Sequence, residues 1–98
     1  MHLSSNEIKR LLKNWHFYKE YFSASQDDGK LEKQLKTIER AIAALEESEA
    51  AIIRTRFFEK VEVENMAKRL FVTPQAVYKR ISHILKRMSF VITNGGAG

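Results

Sequence analysis

Apolar side chains recur at three- and four-residue intervals through almost the whole chain, and its single proline stands where a helix can begin. A period near 3.6 places such residues on one face of a helix. No stretch shows the alternation with a period of two that a half-buried strand needs. This pattern restricts the 98 residues to an all-α fold of four or five helices. A chain this short builds one small core, so association with a partner or a second copy would add to its stability.

The first helix is predicted to open at Ser4 or Ser5. Ser4 and Glu7 stand at capping-box spacing, in which hydroxyl and carboxylate each satisfy a free backbone N–H. Ile8, Leu11, Leu12, Trp15, Tyr18 and Phe22 then continue one apolar stripe, which the polar, glycine-ended stretch 23–29 closes as a loop. A second helix is expected over 30–46, where Leu31, Leu35, Ile38, Ile42 and Leu45 form a heptad seam of two repeats. So short a seam fits a helical hairpin packed on the first helix's stripe better than a coiled coil. Homodimerisation through the same surfaces is the other use it allows. Phe17 and Tyr21 lie off the stripe and, if exposed, make an apolar patch for a partner or second protomer.

A third helix is expected over 48–59, with Ile52, Ile53, Arg56 and Phe57 prominent, and a short connection at Lys60-Val61. A fourth, over 62–70, turns Val63, Met66, Ala67 and Leu70 inward. Phe71-Val72 forms a turn, and Thr73-Pro74 opens the last helix. A threonine cap followed by proline starts a helix well, since the N–H that proline lacks would be unpaired there. Val77, Ile81, Ile84, Leu85 and Met88 face inward along it, reaching toward Val91. The organisation expected is a helical hairpin (1–46), a three-helix unit (47–92) and a disordered tail (93–98) with nothing to pack.

The net charge is +5, and its distribution is informative. Residues 1–29 balance four basic against four acidic side chains, whereas 61–98 carry six basic and two acidic, with no acid after Glu64. A positive field concentrated at one end suits a polyanion, duplex nucleic acid before an anionic membrane. The chain has no cysteine, which excludes disulfides and thiolate metal sites. His2, His16 and His83 lack metal-ligand spacing, and Asp27-Asp28-Gly29 lacks the later ligands of a calcium loop. Neither a phosphate-cradling glycine loop nor a nucleophile-and-base arrangement occurs. No enzymatic activity, cofactor or metal is therefore expected. With no signal-peptide pattern and no run of about 18 apolar residues, the expected location is the cytoplasm rather than a membrane.

The richest stretch is 63–81. A helix-turn-helix needs a small residue where its helices cross, and Ala67 supplies it. It needs apolar residues to fix the angle between them, for which Met66, Leu70, Val72, Val77 and Ile81 are suitably spaced. It needs an outer face on the second helix that can meet bases and phosphates. Thr73, Gln75, Ala76, Tyr78, Lys79, Ser82, His83 and Lys86 supply that face. Gln75 can pair with adenine, Lys79 can donate to guanine, and the methyl of Ala76 or Thr73 can touch a thymine methyl. Lys79, Arg80, Lys86 and Arg87 can neutralise phosphates. Arg80 has a second possible use, with its stem covering apolar surface beside the third helix.

In residues 45–58, Leu45 and the acids Glu46, Glu47 and Glu49 precede an apolar helix that ends in Arg56, Phe57 and Phe58. This stretch resembles the opening of sigma-factor region 4. Val61-Glu62-Val63-Glu64-Asn65-Met66-Ala67-Lys68-Arg69-Leu70 resembles that family's first motif helix. Val72-Thr73-Pro74-Gln75-Ala76-Val77-Tyr78-Lys79-Arg80-Ile81 resembles its recognition helix. The resemblance spans about residues 45–88, and Phe71 stands where such families usually place glycine. It implies a three-helix DNA-binding unit without the other regions of a sigma factor, similar to the ArpU-type late-gene regulators of phage. It further implies transcription control in a phage or prophage within a bacterial host cell. Thr73, Gln75, Ala76, Tyr78 and Lys79 would then read bases, with Arg80 and Lys86 on phosphates. RNA polymerase would be a second partner. Two other readings use the same motif: an adaptor that touches polymerase or another regulator without reading DNA, and a phage terminase small subunit.

Overall fold

The computed structural model describes residues 1–24 and 29–95, the side chains of 21–24 and 95 excepted. Every regular element among them is helical: α1 (Ser5–Lys13), α2 (Trp15–Ala24), α3 (Lys30–Ala43), α4 (Glu47–Ile53), a π segment (Arg54–Phe58), α5 (Val63–Leu70) and α6 (Pro74–Gly95).

The capping box forms as its spacing predicts. Ser4 Oγ accepts from the Glu7 N–H at 3.1 Å, and the Ser4 N–H donates to Glu7 Oε1 at 3.3 Å. The first helix is not continuous, however. Asn14 ends α1 with φ −116° and ψ 29°, and its side-chain amide turns back to donate to the Arg10 carbonyl. Asparagine competes for backbone hydrogen bonds in this way, which makes it a poor interior helix residue. Its own carbonyl accepts from the Tyr18 N–H at 2.9 Å and starts α2. The expected loop at 23–29 mostly lies outside the described residues, though Ser23 and Ala24 belong to α2. The places expected for the Tyr21 and Phe22 side chains also lie outside them.

Gly29 stands before α3 at φ 76°, a left-handed conformation that glycine takes without a Cβ clash. The α3 seam is consumed within the chain. Leu35, Ile38 and Ile42 are buried, Leu31 and Leu45 pack half-buried against the core, and α3 lies on both α2 and α6. The seam is thus closed to a second copy, although Phe17 is exposed.

The third expected helix begins as α4 and widens into the π segment, which places buried Phe57 and half-buried Phe58 against the N-terminal elements. The Phe58 ring meets Trp15 at a centroid distance of 5.3 Å. One continuous core runs from Leu3 through Trp15, Ile38, Ile53 and Met66 to Ile92, so residues on both sides of position 46 share it. The pillar of this core is α6, whose 22 residues extend roughly 33 Å at 1.5 Å per residue. α1, α3, α4 and α5 all pack on it. Thr93, Asn94 and Gly95, expected in a disordered tail, continue this helix. His2 Nδ1 lies 2.7 Å from Thr93 Oγ1, and Ser89 Oγ donates to the Leu3 carbonyl at 2.6 Å. Residues 96–98 lie outside the description.

Candidate nucleic-acid interface

The candidate interface is built on the turn between α5 and α6. Val63, Met66 and Ala67 are buried, and the small Ala67 side chain permits the close α5–α6 contact. α5 closes with Phe71 at φ 58° and ψ 42°. The Val72 N–H reaches the Ala67 carbonyl at 3.0 Å and the Phe71 N–H the Lys68 carbonyl at 3.3 Å. This pair of bonds is the usual closure around a left-handed residue. The turn therefore has the shape that glycine favours, and Phe71 adopts it with its side chain 93% exposed.

Two residues expected to lock the helices do not do so. Leu70, the last residue of α5, is 45% exposed and Val72, in the turn, 47%. With Phe71 they form an apolar strip on the surface. Met66, Val77 and Ile81 are buried and do the locking.

α6 starts as expected, with Thr73 Oγ1 accepting from the Ala76 N–H at 3.2 Å. The hydroxyl is engaged in this cap as expected, and the group predicted to touch a thymine is the Thr73 methyl. At 100° per residue, Gln75, Lys79, Ser82, His83 and Lys86 share the side of α6 opposite Val77, Ile81, Ile84 and Met88. All five are exposed, and the helix contains no carboxylate.

The remaining predicted residues divide between two flanks. Exposed Tyr78 lies beside α1, where it and Ser82 line a cleft with Lys9, Lys13 and Arg56. Arg80 and Ala76 lie on the opposite flank, in a shallow groove with Ile52, Leu70 and Val72. Arg80 is exposed there, and Ile52 of α4 lines the same groove. Arg87 turns away from the outer face, and its Nη1 meets Glu49 Oε2 of α4 at 3.4 Å. The Glu49 side chain is only 15% exposed, and its Oε1 is buried without a hydrogen-bond partner.

Lys9, Lys13 and Lys60, to which the sequence pattern assigns no binding role, gather on the Tyr78 flank with Arg56, expected only as a feature of the third helix. The i, i+4 spacing of Lys9 and Lys13 signals a shared helix face, but the charge balance of residues 1–29 masks it. Among the described residues no three His, Asp or Glu side chains gather as metal ligands would, and no helix is long and apolar enough to cross a membrane. No protein-family model, curated protein or solved structure matches the chain.

Proposed function

We propose that this chain is a sequence-specific, double-stranded DNA-binding transcription regulator that uses α5, the turn and α6 as a helix-turn-helix. The observation that carries this reading is the outer stripe of α6. Gln75, Lys79, Ser82, His83 and Lys86 stand exposed on a helix without carboxylates, beginning at a capped end beside the turn. A helix is 10–12 Å across with its side chains, and the major groove is about 12 Å wide, so one such face can meet base edges. Gln75 and Lys79 on the first turns read bases, while Lys86 neutralises a phosphate further along. The likeness of residues 45–88 to sigma-factor region 4 supports the same use, and with it a phage or prophage regulator acting in the bacterial cytoplasm.

The test is fluorescence anisotropy of a labelled random duplex at several salt concentrations, followed by selection of preferred sequences. Log affinity should fall linearly with log salt, by about 0.9 for each phosphate contacted. Gln75→Ala and Lys79→Ala should each lose about tenfold or more on the selected sequence, with unaltered circular dichroism. Unchanged affinity in both variants removes α6 as the reading helix.

A second reading rests on the apolar strip of Leu70, Phe71 and Val72, bordered by Arg69 and Arg80. Such a strip suits contact with RNA polymerase or another regulator. Polymerase binding with no duplex affinity even at low salt would select this adaptor role.

A further inference from the structure

α1 begins beside the far end of α6, where Ser89 holds the Leu3 carbonyl, and runs back toward the start of that helix. Its polar face thereby comes to lie along the first half of α6, beside the π segment. Between the three elements lies a cleft of about 280 Å³. Phe57, Ile81 and Leu85 form its apolar floor, and Lys9, Lys13, Arg56, Tyr78 and Ser82 stand around it. A neighbouring opening shares Lys13 and Arg56 and adds Lys60.

Four cations thus meet with no carboxylate lining either opening. Lys9 and Lys13 are one helical turn apart, a spacing at which like charges repel. Neither they nor Lys60 has an ion pair among the described residues, whereas Lys36, Arg54 and Arg87 each have one. Arg56 spends one Nη on the Val61 carbonyl at 3.3 Å, which fixes the guanidinium and leaves its other N–H groups for a ligand. The Tyr78 and Ser82 hydroxyls add two donors. This combination of clustered charge, hydroxyls and no competing acid is suited to a phosphate. Its position narrows the source. A helix seated in the major groove nearly fills its width, so the backbone phosphates pass along the helix flanks. The cleft opens on one of those flanks.

We propose that this cleft seats a backbone phosphate of the duplex held by α6, which makes Lys9 and Lys13 of the N-terminal helix part of the DNA interface. The inference rests on α6 being the groove-entering helix. It assigns α1 a binding role beyond support of the motif.

The experiment compares the salt dependence of duplex binding for the unaltered chain, the Lys9→Ala/Lys13→Ala variant, and a Lys30→Ala/Lys33→Ala variant. The last pair removes equal charge from α3, whose lysines line neither opening. The cleft variant should lose about 1 from the slope of log affinity against log salt, and about tenfold in affinity near physiological salt. The loss should be equal across sequences, with the selected sequence unchanged, and the α3 variant should keep the original slope. Binding by the cleft variant with an unreduced slope overturns the inference and leaves the reading of α6 standing. No duplex binding by the unaltered chain overturns both. A thermal-shift titration with inorganic phosphate distinguishes the remaining source. Stabilisation that the cleft variant loses, alongside an unreduced DNA slope, assigns the cleft to a free phosphorylated ligand and overturns its place on the duplex.

Discussion

Replacing Phe71 with glycine should make this protein more stable, although it removes the largest side chain in the turn. Phe71 sits at φ 58° with its ring 93% exposed, so the ring contributes almost no burial to the fold. Its backbone pays for a Cβ in left-handed space, at about 1–2 kcal/mol. Glycine relieves that cost but adds freedom to the unfolded chain, which takes back about 0.4–1 kcal/mol. The net expectation is a gain of about 0.5–1 kcal/mol. For a domain of this size each kcal/mol moves Tm by about 4–8 °C, so Tm should rise by roughly 2–8 °C. Thermal unfolding followed by circular dichroism at 222 nm measures it. Phe71→Ala is the control, since it keeps the Cβ and should stay within about 0.5 kcal/mol of the original. An F71G protein that melts at or below the original temperature refutes the argument, because the ring must then contribute contacts that offset its strain.

Two further substitutions test particular bonds. Thr73→Ala removes the oxygen that caps α6 and should cost about 1 kcal/mol in urea unfolding, while Thr73→Ser should restore most of it. Arg87→Ala removes the partner of Oε2 and leaves neither oxygen of the mostly buried Glu49 carboxylate paired. After discounting for the exposed arginine it should cost about 1 kcal/mol in the same measurement. Loss of DNA affinity by Arg87→Ala without loss of stability would instead place Arg87 on the duplex.

What could be read from the sequence was whatever repeats along one helix. The stripe Ile8, Leu11, Leu12 and Trp15, the seam Leu35, Ile38 and Ile42, and the inner face of α6 are buried as their spacing requires. Caps at Ser4 and Thr73 were legible because their partners lie three residues away. The departures belong to features that local spacing does not encode. Leu70 has the period of a core residue, but it ends α5 and stays 45% exposed. Asn14 interrupts a stripe whose periodicity continues on both sides. Arg87 looks like its neighbour Lys86, yet its partner Glu49 lies 38 residues away in sequence. The cationic cleft is the clearest case. Lys9, Lys13, Arg56 and Lys60 are unremarkable in separate segments and become a group only when α1 lies against α6.

The bonds from His2 to Thr93 and from Ser89 to Leu3 join positions 91 and 86 residues apart in the chain. Closing a loop of that length in a flexible chain costs several kcal/mol in entropy before any contact repays it. α1 therefore finds its place only after α6 exists to receive it, and the order of synthesis is not the order of assembly. Residues 1–46 synthesised ahead of α6 would expose their leucines and isoleucines until that helix is made. Severing the chain in that region should thus leave two fragments that aggregate separately and regain solubility when mixed. The segment before α1 and the later turns of α6 lock one another, and unfolding should proceed in a single cooperative step.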